Sequence, residues 1–594
     1  MAVELKDLAP LLLKKERANG DIDPAVLTDV LRDGKAANDR RKQLVKVIED
    51  HPVLSDRDMM FRNHTQRYEF GLKKAFHYVK LLQEGGYTDP VDQQILYKAL
   101  AEPLGFDVHR AIRKWWPGGL GKTANHAIVH ARLFLDGKDV GVQAFLVQLR
   151  SLEDHQPLPG IEVGDIGPKV GFNAIDNGYC AFHKIRTPRE NMMMRYAKVL
   201  PDGTFVKPKS DKLVYLTMVQ VRAYMIKTAG LQLGAASTIC TRFSAARIQG
   251  RTPDNKGEFQ VLDYQNQQHK LFPLIAISYA AHFAGTSLVE MHDSAVDIIK
   301  SGGSSFGAKL AELHAVSSGL KAWLAERVSD GVETCRRLCG GHGFTQSSNL
   351  AHLFAEIVGA NTYEGTFDVL VQQHARYLLK TLGSLPVSEN STKFLNQVKQ
   401  YSDTKLRCKA QTSEDFGDLD LLLEAFQTRA ARIVLALANQ MKAAKNDGNA
   451  CMVFMTRAST AHAELILLEA FIRGVKNLPP GAEKNSLTQL CSLFGVWLIT
   501  NSLGDFRQLD YISSHQVDLV REQIVRLLPV IRKNCVLLTD AWDFSDFELN
   551  STIGRYDGDI YRALVKRAAD EPLNKTQVPE GYEKYLKPLI QSDL

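Results

Sequence analysis

The run HAIVHARLFLDGKDVGVQAFLVQL, from His126 to Leu149, decides the fold. His126 to Leu135 is rich in apolar residues, Asp136-Gly137 is a hairpin turn signal, and Val140 to Leu149 resumes the strand pattern. Pro157, Pro159, Gly160, Gly164, Gly167 and Pro168 punctuate the next stretch, and Cys180 to Ile185 reads as another strand. A small β domain therefore sits inside a chain that is helical on both sides. Upstream, from Val26 to about Arg113, Phe76, Val79, Leu82 and Tyr87 recur at near-helical spacing; Gly85-Gly86 breaks the pattern and Asp89-Pro90 reads as a helix start. Downstream, Leu213 to about Leu382 reads as long helices and Ser384 to Asp420 as a polar linker. Leu421 to Lys566 reads as helices again, among them Leu421–Ala444 and Ser459–Val475, and the tail from Pro572 to Leu594 as irregular. The order is α, β, α, α: a mainly α fold with an inserted small β domain, divided at 1–113, 114–212, 213–400 and 401–594.

Composition narrows the function classes. A chain of 594 residues is too long for one core, and 45% apolar with 24% charged residues is ordinary for a globular protein. A net charge of +6 over that length suits an anionic small ligand and gives no support for a nucleic-acid partner. The eight cysteines are scattered, without a CxxC pair, as expected of free thiols in a reducing compartment. Met1 to Glu16 carries six charges (Glu4, Lys6, Asp7, Lys14, Lys15, Glu16) and no signal-peptide core. The least charged stretch, Leu271 to Val289, is long enough to span a membrane but contains Pro273, Ser278, His282, Gly285, Thr286 and Ser287, and is expected to be a buried helix.

Three motifs bear on chemistry. Gly118-Gly119-Leu120-Gly121-Lys122-Thr123 suggests a phosphate loop, but such a loop needs glycine five residues before the Gly-Lys pair, where this chain has Trp116, and it must open a helix, whereas this segment leads into a strand. Cys339-Gly340-Gly341-His342-Gly343-Phe344 permits close backbone approach to a ligand or makes a tight turn between helices. In Asn361-Thr362-Tyr363-Glu364-Gly365-Thr366 a lone carboxylate comes after the apolar run Ile357 to Ala360; it is a desolvated base, a helix cap or an exposed acid.

These segments together resemble the peroxisomal acyl-CoA oxidases. The resemblance is carried by Lys114-Trp115-Trp116-Pro117-Gly118-Gly119-Leu120-Gly121-Lys122, Val147 to Arg150, Val163 to Lys169, Ile175-Asp176-Asn177-Gly178-Tyr179, Pro188 to Met192, Cys339 to Phe344, Thr362 to Gly365 and Gly554-Arg555-Tyr556-Asp557-Gly558, in order from about Leu100 onward. It implies the acyl-CoA dehydrogenase architecture (α, β, α) plus a C-terminal helical domain, and a dimer with flavin sites at the interface. It implies FAD as cofactor and fatty acyl-CoA and O2 as substrates, giving trans-2-enoyl-CoA and H2O2 in the first step of peroxisomal fatty-acid β-oxidation. Glu364 takes the position of the family's base. There the thioester carbonyl is polarised by a backbone N–H at the base and by a flavin hydroxyl. Gly118 matches a glycine beside the flavin, Arg247 and Gln249 match a segment that reaches the flavin, with Arg247 either on its pyrophosphate or simply on a helix surface, and Gly340, Gly341 and Gly343 match the loop near the cofactor. No metal, nucleic acid or membrane span is implied.

The sequence departs from that family in three places. The family has a segment resembling Ala-Gln-Thr-Glu-Leu-Gly-His-Gly, which touches the flavin ring and begins the β domain, before the Trp-Trp-Pro-Gly-Gly motif. Here Pro103 to His109 reads as the end of a helical region and Arg110 to Arg113 runs directly into Lys114-Trp115-Trp116, so several tens of residues, including a strand, are expected to be missing. A splice form, an imperfect gene model or divergence accounts for that equally. The last three residues, Ser592-Asp593-Leu594, put an acid in the peroxisomal Ser-Lys-Leu address, which points to import by association with another subunit. Ile248 replaces a residue that is often basic or polar. The competing readings are a non-catalytic partner of active oxidase subunits, as a homodimer or heterodimer, and an acyl-CoA dehydrogenase that passes electrons to a protein carrier.

Overall fold

The computed structural model describes residues 5–100, 116–195, 197–207, 216–301 and 306–591. Lys114, Trp115, the approach from Pro103 and the final Ser592-Asp593-Leu594 lie outside the described residues. The first helices are α1 (Leu5–Asn19), α2 (Pro24–Leu31), α3 (Lys35–Glu49), α4 (His64–Glu84) and α5 (Pro90–Leu100). The Gly85-Gly86 break ends α4. Asp89 starts α5 as expected: its carboxylate accepts from the Val91 amide at 2.6 Å, and Pro90 takes the first helical position, where no amide is needed.

The hairpin forms as read. Strands β1 (His126–Leu135) and β2 (Lys138–Gln148) pair antiparallel, with Ala127 opposite Val147 and Val129 opposite Phe145. Asp136 and Gly137 have φ of 47° and 78°, the two left-handed residues that match a tight turn to strand twist. Strands β3 (Ile161–Asp165) and β4 (Gly178–Phe182) make a second antiparallel pair, and β5 (Lys198–Val199) and β6 (Phe205–Val206) a third. The strand expected at Cys180 to Ile185 starts two residues earlier and stops at Phe182. Leu120, Ala127, Val129, Val147 and Leu149 form one small core, joined by Val163, Cys180 and Phe182 from the second pair.

Downstream run α6 (Leu216–Ala246), α7 (Gln265–Lys300), α8 (Phe306–Leu338), α9 (Gly340–Phe344), α10 (Leu350–Val358) and α11 (Phe367–Leu382). The helical reading of 213–382 is corrected in one place. Strands β7 (Ile248–Arg251) and β8 (Glu258–Gln260) form a hairpin between α6, which ends at Ala246, and α7, and Gly250 (φ 84°) lies within β7. Helix α7 is long and apolar enough to cross a membrane, but 83% of its most apolar window is buried within the protein.

The C-terminal helices are α12 (Val398–Tyr401), α13 (Leu419–Ala443), α14 (Met452–Lys476), α15 (Ala482–Asn501), α16 (Leu503–Arg507), α17 (Ser514–Asp540), α18 (Asp546–Leu549), α19 (Ile560–Ala569) and α20 (Lys587–Gln591). The main core runs from Ala9 of α1 to Ile560 of α19 and includes α6, α7, α8 and α13 to α17. The stretch Ser384 to Asp420, expected as a linker, is irregular but packed: Phe394, Leu395, Tyr401, Cys408 and Phe416 are buried in this core. Its polar residues hid the apolar ones that anchor it.

The Gly554-to-Gly558 signature is a close-packing device. A Cβ on Gly554 would lie 2.7 Å from Ile239 of α6, and one on Gly558 (φ 75°) would lie 3.0 Å from Pro10 of α1. Arg242 of α6, 1% exposed, pairs with Asp540 at 2.9 Å and donates to the Gly554 carbonyl at 2.9 Å. Arg17 of α1 reaches the same Asp540 and lies 3.7 Å from the Tyr556 ring centroid. The signature thus joins the two ends of the chain to α6.

Candidate active site

Glu364 lies on the turn between α10 and α11. Residues Glu364 and Gly365 both have left-handed backbones, φ 58° and 108°, and together reverse the chain into α11. A glutamate in that conformation is strained by about 1–2 kcal/mol and must be held by its surroundings. Two buried cations hold it. Arg222 of α6 donates to the Glu364 carbonyl through Nε at 3.1 Å and Nη2 at 3.0 Å. Lys321 of α8 donates from Nζ to the carbonyls of Ala360 at 2.6 Å, Tyr363 at 2.7 Å and Gly365 at 2.6 Å. Arg222 is 3% and Lys321 2% exposed. Burial lowers both pKa values, that of Lys321 to about 8, where repulsion from Arg222 also lowers it and attraction to Glu364 opposes the shift. The Glu364 residue itself is half-buried, not the exposed acid its spacing allowed.

An apolar cleft adjoins this turn. Met225, Ile226 and Ala229 of α6, Leu324, Ala325 and Val328 of α8, and Ile357, Ala360 and Tyr363 line it, with Lys321 at its wall. The β module docks at the same place. Phe172 (φ 56°) donates its amide to Glu356 of α10 at 2.7 Å, and its ring meets Tyr363 edge-on at 6.2 Å. A Cβ on Gly171 would lie 2.2 Å from the Ala355 carbonyl, so this contact is backbone against backbone.

Gly118 sits half-buried in a turn that a single carboxylate closes. Asp176 Oδ2 accepts from the Lys122 amide at 2.7 Å and from the Thr123 amide and hydroxyl, each at 2.8 Å. Trp116 N donates to Gly178 O at 2.8 Å, Gly178 N to Pro117 O at 2.9 Å, and Asn177 Nδ2 to Trp116 O at 2.7 Å. The Trp-Pro-Gly-Gly and Ile-Asp-Asn-Gly motifs are therefore two halves of one loop structure.

Arg247 and the Gly340-to-Gly343 turn form a second group, on the other side of α10 in sequence. Arg247 comes directly after the last residue of α6, is half-buried, and donates from Nη1 to the Tyr561 hydroxyl at 3.1 Å, so it is not on an open helix surface. Burial, and then the charge of Arg247, lower the pKa of His342, whose ring packs edge-on against Phe243. Gln249 is exposed on β7. The three glycines differ. Gly340 has φ 58°, and a Cβ on Gly340 or Gly341 would meet nothing within 4 Å. At Gly341 the chain itself gives no reason for glycine, which leaves room for a group from outside it. On Gly343 a Cβ would lie 2.0 Å from the Arg336 carbonyl, so helix packing alone requires that glycine. A phosphate-bearing flavin fits this donor set: open backbone at 340–341 and a guanidinium beside it.

Sequence reading missed Lys321 and Arg222, and placed Asp176 in a motif without giving it a role. The signal for the first was a lysine inside the apolar run Leu320 to Ala325. A further cleft of about 320 Å³ between the 57–67 segment, Gln346 to His352 and residues 546–570 is lined by arginines of which Arg555 and Arg567 pair with Asp557 and Asp58. All eight cysteines are free, and among the described residues no group of three or more His, Cys, Asp or Glu is placed to hold a metal.

Residues 23–112 match the family model "Acyl-coenzyme A oxidase N-terminal", residues 215–379 the acyl-CoA oxidase C-alpha1 domain and residues 418–591 the acyl-CoA oxidase model. The chain is 36% identical to peroxisomal acyl-coenzyme A oxidase 1 of Rattus norvegicus over 657 aligned positions, covering 97% of this chain and 99% of the relative. That alignment exceeds the 594 residues of this chain by 63 (657 less 594), so it opens gaps in this chain. The solved structure of Arabidopsis thaliana acyl-CoA oxidase 1 superposes with a TM-score of 0.90 at 33% identity, covering 98% of this chain and 99% of that one. Caenorhabditis elegans acyl-CoA oxidase-2, solved with FAD, ascaroside-CoA and ATP bound, gives 0.88 at 30% identity over 98% and 97%. With relatives of this identity and coverage and a matching fold, the chain belongs to the acyl-CoA oxidase family.

Proposed function

We propose that this protein is a FAD-dependent acyl-CoA oxidase that converts fatty acyl-CoA to trans-2-enoyl-CoA in the first step of peroxisomal β-oxidation, with Glu364 as its base. The observation that carries this reading is the turn itself: a half-buried glutamate, held in a left-handed conformation by two buried cations, beside an apolar cleft between α6 and α8. An acyl-CoA α-proton is weakly acidic, so its removal needs a carboxylate fixed within reach of the α-carbon, with the thioester carbonyl hydrogen-bonded as negative charge develops. The cleft takes the acyl chain. Its volume, about 30 Å³, is well below the roughly 300 Å³ of an ordinary ligand pocket, so binding must widen it. Bound FAD would supply the hydride acceptor and the route to oxygen. The Gly118 turn would lie against its ring, and Arg247, Gln249 and the Gly340–Gly341 backbone would hold its phosphate end, in a dimer across the subunit interface.

A segment lost before Trp116, as the sequence reading expects, would remove part of the flavin wall. A flavin-free partner subunit is therefore the competing reading. The deciding measurement is the visible spectrum of the purified full-length chain, with released FAD quantified against protein, and then acyl-CoA-dependent peroxide formation in air. Stoichiometric FAD with peroxide establishes the oxidase. Soluble folded chain that takes up no added FAD establishes the partner. FAD with turnover only on an artificial electron acceptor overturns the oxidase in favour of a dehydrogenase.

A further inference from the structure

Lys321 spends all three of its donors on one turn. The carbonyls of Ala360, Tyr363 and Gly365, at 2.6, 2.7 and 2.6 Å, bracket Glu364 on both sides, and Arg222 takes the carbonyl of Glu364 itself. Four carbonyls from one six-residue segment are thus gathered by two cations from two different helices. Packing alone does not call for this. An ammonium is costly to bury, and a leucine or methionine would fill the same space without desolvating a charge. What the ammonium adds is three fixed directions and a positive charge. The charged groups that face it are Arg222 on α6 and Glu364 on the turn; Arg222 in turn contacts Ser318 at 3.3 Å and His314 at 3.5 Å, both on α8.

We propose that Lys321 is a positioning residue for the reaction: together with Arg222, it fixes the left-handed turn that presents Glu364. This rests on Glu364 being the base. A lysine that merely filled space could be replaced by methionine with no effect on the exchange of the turn's amides or on kcat. A lysine with the proposed role could not.

The test uses the full-length protein carrying Lys321→Met, Lys321→Gln or Glu364→Gln, with two readouts. The first is hydrogen exchange of the amides from Thr362 to Thr366 in protein without acyl-CoA, which requires no turnover. Exchange in Lys321→Met should be at least tenfold faster than in the parent, and slower in Lys321→Gln, which keeps two donors. The second is peroxide formation at fixed flavin content, separated into kcat and KM. A displaced base lowers kcat, by at least tenfold in Lys321→Met and less in Lys321→Gln, with KM little changed. Unchanged exchange in Lys321→Met overturns the proposal whether or not turnover is measurable, and so does faster exchange with unchanged kcat. Retained activity in Glu364→Gln would instead remove the base assignment on which the proposal stands. If Lys321→Met does not fold, Lys321→Gln decides the outcome on the same two readouts.

Discussion

Replacing Asp176 by alanine tests whether the loop carrying Gly118 is set by one carboxylate. Asp176 is 5% exposed and accepts three hydrogen bonds between 2.7 and 2.8 Å, two of them from the backbone amides of Lys122 and Thr123. Hydrogen bonds to a charged partner contribute roughly 1.5–3 kcal/mol each, and because Lys122 and Thr123 are exposed, water takes over part of what is lost. The three share one acceptor atom and are not additive, so about 3 kcal/mol is a reasonable local loss. At 1.4 kcal/mol per factor of ten, that corresponds to amide exchange at Lys122 and Thr123 faster by on the order of 100-fold. Asp176→Asn keeps an acceptor of the same shape without the charge, and its effect should fall between the parent and the alanine variant. The assay is hydrogen exchange with mass spectrometry on the peptide covering residues 118–124, with Phe272 to Ala281 of buried helix α7 as an internal reference. In a flavin-binding preparation, the alanine variant should also release FAD faster. If exchange of the loop is unchanged in Asp176→Ala, the carboxylate does not hold the loop and the reasoning is wrong.

Glu364→Gln should lower peroxide formation by at least 1000-fold while leaving flavin content unchanged, because only proton acceptance is removed; roughly this range is expected for a lost general base. Gly341→Ala should leave the thermal midpoint of flavin-free protein unaltered and weaken FAD retention, whereas Gly343→Ala should destabilise the fold itself, since its Cβ would sit 2.0 Å from the Arg336 carbonyl; equal behaviour of the two would refute the distinction. His462 is buried against His374, and its pKa is lowered to about 4. Between pH 6.5 and 4 the unfolded chain binds a proton there that the folded chain refuses, so this contribution is present above pH 6.5 and is lost as pH falls toward 4. For His462 alone the loss is about 3 kcal/mol. Urea midpoints measured from pH 7 to 4.5 should fall, and fall less steeply in His462→Gln; parallel slopes would contradict it.

Much of the fold is legible in residues 1–594 because its signals are local. The Asp136-Gly137 turn needs two left-handed residues and has residues that tolerate them, so the hairpin is visible in a dozen positions. Gly85-Gly86 and Asp89-Pro90 mark a helix end and start by the same short-range chemistry. Local signals fail where packing overrides them. Phe394, Leu395 and Phe416 bury a stretch whose polar neighbours read as a linker, and a short hairpin follows Ala246 inside a region read as continuous helix.

The site divides in the same way. Glu364, Gly118 and Gly340 stand out as candidates from the order of motifs, because each motif occupies a few consecutive residues. Which cations face Glu364 could not, since Arg222 and Lys321 lie 142 and 43 residues before it and meet it only when α6 and α8 pack together. The sequence alone determined the helix-strand order, the turns and the family likeness, all governed by interactions within a few residues. Only the tertiary structure decided that one carboxylate ties two motifs into a loop, that Gly343 is required by packing while Gly341 leaves open space, and that two buried charges hold the turn at Glu364. Burial and charge pairing depend on distances in space, and those arise only when remote segments fold against one another.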